Sequence, residues 1–81
     1  MLVSAKLLNK SQHKIRYAFG ESSAKLDGVF HIDLKDLNQS FVETASKDIS
    51  SNWALRTMAA IALETEKRGK APEVFVYCPG H

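Results

Sequence analysis

The side chains with the greatest capacity for chemistry in this 81-residue chain are one cysteine, Cys78, and three histidines, His13, His31 and His81. Cys78 and His81 stand three apart in the terminal run Cys78-Pro79-Gly80-His81. That spacing supplies one pair of ligands where a structural zinc site needs two. A nucleophilic cysteine needs a base within reach and an electropositive setting. Cys78 instead follows the apolar run Val74-Phe75-Val76-Tyr77, so it is expected to be a small buried residue at a strand end, continuing the face of Val74 and Val76. His31 and Asp33 lie two apart in an alternating segment and can share a strand face, but a single histidine there is expected to be solvated. Asp33 and Asp36 straddle the end of that segment, and Glu64 and Glu66, two apart in a helical stretch, do not share a helix face. No glycine-rich loop precedes a helix. The expectation is a non-enzymatic protein with no catalytic residues, no metal and no cofactor.

The elements that carry these residues are legible from periodicity. In His13 to Phe19, Ile15, Tyr17 and Phe19 alternate with Lys14, Arg16 and Ala18, the period of a half-buried strand. Leu26 to Leu34 repeats the alternation, with Asp27, Val29, His31 and Asp33 outward. Leu2 to Leu8 is a third strand with Val3, Ala5 and Leu7 inward. Asn9-Lys10-Ser11-Gln12 and Gly20-Glu21-Ser22-Ser23 read as the turns between them, so three antiparallel strands form a meander. Lys14 and Arg16 are expected opposite Asp27 and Asp33. Ser40 to Thr44 is a fourth, edge strand or the lead into the helix.

From about Ile49 to Arg68 no Gly or Pro interrupts a stretch of strong helix formers. Lys67, Arg68 and Gly69 mark its end, and Ser46, Ser50 and Ser51 each qualify as N-cap. Ser51, Leu55, Met58, Ala62 and Thr65, flanked by Ala54 and Ile61, form the stripe expected against the sheet. A second row, Ile49, Trp53, Arg56, Ala60, Leu63 and Lys67, carries the only tryptophan. Tryptophan with arginine is enriched at interfaces. This row therefore either faces a partner or is covered by residues 38–47 of the same chain. The last strand, Val74 to Tyr77, has no polar side, and one helix covers only one sheet face. Phe75 and Tyr77 join Ile49, Trp53, Arg56, Ala60 and Leu63 as the expected self-association or partner surface.

The chain is 44% hydrophobic and 25% charged, a globular rather than disordered balance. Its length fits one domain, residues 1–81, with a thin core. One cysteine permits no internal disulfide, which leaves oligomerisation as the usual support for so small a core. Residues 1–25 carry five cations against one acid, and Lys6, Lys10, Lys14 and Arg16 would serve a nucleic-acid-binding hairpin; outward acids oppose that reading. Nothing approaches a membrane span, and a cytoplasmic location is expected.

Three strands ending in "VFHIDLKDL", a short linker, a long helix and then "GKAPE" resemble the pattern of small HicB-like antitoxin domains over residues 26–73, with Asn38-Gln39 where that family has Pro-Gly. The resemblance implies an oligomer that binds a protein partner. The sequence thus predicts an α+β domain in β-β-β-α-β order: a three- to four-stranded antiparallel meander on one long helix, the final strand returning to the sheet. Its expected role is that of a homodimeric protein-binding or regulatory module.

Overall fold

The computed structural model describes residues 2–78. Strands β1 (Val3–Ser11), β2 (Lys14–Gly20), β3 (Gly28–Asp33) and β4 (Phe41–Thr44) are followed by helix α1 (Ser51–Arg68) and strand β5 (Val74–Tyr77). They build a five-stranded sheet in the order β4-β3-β2-β1-β5, every neighbouring pair antiparallel. The run at Ser40 is therefore an edge strand, and the last strand returns to the opposite edge, beside β1. Helix α1 connects the two edges. Its 18 residues make a rod of about 27 Å, enough to cross the four inter-strand gaps, together about 19 Å.

The core lies between α1 and one sheet face. Val3, Ala5, Ile15, Tyr17, Phe19, Phe30 and Ile32 supply the sheet side, as the period-two reading requires. Phe19 and Phe30 stack at 4.8 Å between centroids, with Tyr17 tilted against Phe30. The helix contributes Ala54, Thr57, Met58, Ile61, Ala62 and Thr65. That stripe is rotated from the expected one: Leu55 is 53% exposed and Thr57 is buried. The two threonines are tolerated because Thr57 and Thr65 donate their hydroxyls to the carbonyls of Trp53 and Ile61, one turn back. Ser50 is the N-cap, its hydroxyl accepting from the Trp53 amide, and Gly69 closes the helix in the left-handed region at φ 78°.

The first turn differs from expectation. β1 runs on to Ser11, and the hairpin closes over Gln12 and His13, with Gln12 at φ 51°. A tight two-residue connection suits the strand twist better than a four-residue one. No glycine or asparagine at position 12 announced it. Two bulges interrupt the ladders. Register slips between Leu7 and Asn9 in β1, and Glu43 is the extra residue of β4 between Val42 and Thr44.

The outward acids also behave differently. Lys14 does pair in register with Asp33, but Asp33 is buried and accepts the amides of Lys35 and Asp36, shaping the turn after β3. Burial pushes its carboxyl up, yet those two amides, with His13 and Lys14 nearby, hold it below its ordinary range. Asp27 lies before β3 rather than in it. It accepts from the Ser46 hydroxyl at 2.6 Å and the Lys47 amide, which hold its pKa down and fasten the segment leading to α1. Lys25 bridges Asp48 at 2.9 Å and Glu21 at 3.5 Å, and both partners raise its pKa, Asp48 more.

Candidate functional site

With α1 on one face, the other face of the sheet is open, and two groups of side chains occupy it. One is polar. Arg16 on β2, His31 on β3 and Glu43 on β4 meet in a row across three strands. The Arg16 guanidinium forks onto the Glu43 carboxylate, both contacts 3.3 Å, and His31 Nε2 lies 2.5 Å from Glu43 Oε1. Two residues on from Phe41 along β4, Glu43 projects to the same face, where it meets Arg16 and His31. The His31 contact first, then Arg16, holds its carboxyl below the usual range. Phe41, opposite His31 in the ladder, stacks on the imidazole at 4.5 Å and 9°. A histidine oriented by a carboxylate has the makings of a general base. Among the described residues, however, no serine or threonine hydroxyl hydrogen-bonds to His31, and the Phe41 ring covers one side of the imidazole. Its contacts tie the edge strand β4 to the sheet.

The other group is apolar and sits at the β5 edge. Val74 and Val76 project onto the open face, 66% and 54% exposed, whereas Phe75 and Tyr77 turn to the core side and are half-buried there. Tyr17 fixes where this strand begins: its hydroxyl donates to the Pro72 carbonyl at 2.6 Å. Burial pushes the Tyr17 pKa up to about 12. Cys78, on the parity of Val74 and Val76, is exposed rather than buried. Pro79, Gly80 and His81 lie outside the described residues, so the expected strand end is seen only to Cys78.

The helix row expected to form one surface is divided. Ile49 is buried and Trp53 packs partly against the core. The Arg56 guanidinium sits 5.0 Å from the centre of the Trp53 ring. Ala60 is half-buried, and Arg56, Leu63 and Lys67 are exposed. Leu63 instead borders a shallow apolar groove with Leu34, Leu37, Ala59 and Ala62, continued by Leu55. Neither the groove nor the Glu43 cluster was legible beforehand. Leu55, Ala59 and Leu63 are spaced by four, which is the signal the groove offers, and Phe41 and Glu43 alternate along β4.

The hairpin cations are likewise separated. Lys6, Lys14 and Arg16 take the open face, with Arg16 committed to Glu43. The β1 bulge reverses Lys10, which pairs with Ile15 and lines a cleft on the helix side with Arg68 and Lys70. Among the described residues no three His, Cys, Asp or Glu side chains gather to hold a metal ion, and no helix is long and apolar enough to cross a membrane.

Compared with known proteins, the chain matches no family model, no curated protein and no solved structure.

Proposed function

We propose that this chain is a small non-enzymatic interaction module whose first partner is a second copy of itself. The observation that carries the reading is the one-sided sheet: α1 covers one face, and the edge strand β5 leaves Val74 and Val76 exposed on the other. An exposed apolar strand at a sheet edge is a liability that a lone small domain must cover. Packing the open faces of two copies against each other suits the surface poorly, because Lys6, Arg16, His31 and Glu43 stand on it and would lose water. The apolar content is at the β5 edge. Light scattering over a dilution series tests the reading. A mass that rises from one chain to two with concentration supports it, and one chain at every concentration removes it.

A second reading has an observation of its own. Lys10, Arg68 and Lys70 line one cleft, with Glu73 the only acid among its lining residues, which favours a polyanion such as single-stranded nucleic acid. Titration with a labelled oligonucleotide at low and high salt tests it: steeply salt-dependent binding, weakened in Lys10→Ala/Lys70→Ala, is the supporting result. Absence of binding at low salt rejects it.

A further inference from the structure

Resting on the self-association reading, the backbone of β5 specifies how two copies meet. The Leu7 amide donates to the Glu73 carbonyl at 2.8 Å. Hydrogen-bonded pairs alternate along an antiparallel ladder. With Leu7 and Glu73 as one such pair, Ala5 and Phe75, then Val3 and Tyr77, are the next. Phe75 and Tyr77 therefore spend their N–H and C=O groups on β1. Val74 and Val76 point theirs away from the sheet, into the space a further strand would occupy.

The two edges of the sheet are not equivalent. At β4 the extra residue Glu43 breaks the ladder and carries a charge, both of which discourage a new strand. The described strand β5, Val-Phe-Val-Tyr, contains no charge, no proline and no bulge. All four of its residues favour extended backbone. It is a template lacking the usual blocking devices other than its shortness.

We propose that a second copy of this chain pairs its β5 antiparallel with the first, about a two-fold axis at Phe75, so that the five-stranded sheet continues from one copy into the other. In that register Val74 of each copy forms a hydrogen-bonded pair with Val76 of the second copy, and every outward N–H and C=O within β5 is used. Phe75 meets Phe75 of the second copy on the helix side, an aromatic pair of the kind that stabilises sheets. The two Glu73 carboxylates fall at opposite ends of the paired strands. An axis at Val74 would instead set Val76 against Pro72, which has no N–H to give. The pairing is isologous, so it closes at two copies and leaves β4 at both ends. Four residues a side fall short of the roughly 800 Å² per partner of a standard interface, which places the dimer among weak, concentration-dependent ones.

Hydrogen exchange, residue by residue and at low and high protein concentration, tests the geometry alongside the mass. Phe75 and Tyr77 amides are expected to be protected at both concentrations. Those of Val74 and Val76 are expected to exchange freely when dilute and to slow by about tenfold or more once the dimer predominates. A dimer by mass with Val74 and Val76 still exchanging freely overturns the β5 pairing and leaves self-association standing. A single-chain mass at all concentrations overturns both, and leaves the edge to a strand of another protein. A second measurement fixes the axis. Phe75→Cys in a Cys78→Ser background is expected to cross-link on oxidation, since non-hydrogen-bonded antiparallel partners lie about 4.5 Å apart at Cα, within disulfide reach. A dimer that does not cross-link there refutes the axis at Phe75.

Discussion

Replacing Tyr17 by phenylalanine removes one atom and tests how the β5 edge is set. The Tyr17 hydroxyl is buried and donates to the Pro72 carbonyl at 2.6 Å, tying the central strand β2 to the segment that delivers β5. Phenylalanine keeps the ring contacts with Phe30, so the cost is the lost hydrogen bond plus whatever desolvation the abandoned carbonyl suffers. Together these come to about 2 kcal/mol. For a domain of this length that lowers Tm by about 8 to 16 °C, read by circular dichroism. The pH dependence supplies a second, independent reading. In the unfolded chain Tyr17 loses its proton near 10.0, and in the folded chain near 12. The unfolded state therefore binds fewer protons in that window, and stability falls as pH rises through it. The phenylalanine variant has no such proton. Its deficit against the wild type is expected to be constant below pH 10 and to shrink from there to about 12. A Tm within about 2 °C of wild type would refute the buried bond, and a deficit that does not shrink in alkali would refute the burial of the hydroxyl.

Gly20→Ala is expected to cost about 1 to 3 kcal/mol in urea unfolding, because an added Cβ would stand 1.9 Å from the Lys25 carbonyl oxygen, a backbone atom that cannot step aside; an unchanged midpoint contradicts the close approach of the loop after β2. Gln12→Gly should raise stability by about 0.5 to 1 kcal/mol, since Gln12 holds φ 51° in the β1–β2 turn, and a loss of stability would mean that the side chain contributes something the turn geometry does not show. Glu43 titrates below its unfolded value because His31 and Arg16 hold its charge, so its contribution is present above the ordinary carboxylate range and is lost as pH falls through its lowered pKa. Glu43→Gln is accordingly expected to flatten the acid limb of the stability profile, and an unaltered limb speaks against the three-strand network.

Much of the fold was legible because its signals are periodic. Ile15, Tyr17 and Phe19 on β2, and Phe30 and Ile32 on β3, are buried as alternation demands, and the uninterrupted run to Arg68 before Gly69 is the helix. The helix face was less legible. Thr57 can enter the core only because its hydroxyl returns to the Trp53 carbonyl, a bond that composition does not reveal, and Leu55 is left out in its place. Asp33 keeps the outward parity beside Lys14, but two amides of the following turn bury it, which parity alone does not reveal. The β5 surface was half legible. That the strand had two apolar sides was plain, but which side the helix takes depends on pairing with β1, and this selects Val74 and Val76 over Phe75 and Tyr77. Bulges were not visible at all: nothing in the sequence marks Leu8 or Glu43 as the extra residue.

Proline at Val76 gives the most direct test of pairing through β5. Its N–H points away from β1, so proline there removes nothing the single chain uses but deletes a donor from each of the two pairs across the axis. Phe75→Pro, one position earlier, strikes an amide spent on β1 and serves as the comparison. Sedimentation equilibrium of wild type and Val76→Pro over the same concentration range, with thermal unfolding of all three proteins, decides the matter. The expected result is a wild type that passes from one chain to two, a Val76→Pro that stays folded and remains one chain, and a Phe75→Pro that is destabilised. A Val76→Pro protein that dimerises like wild type would contradict the account.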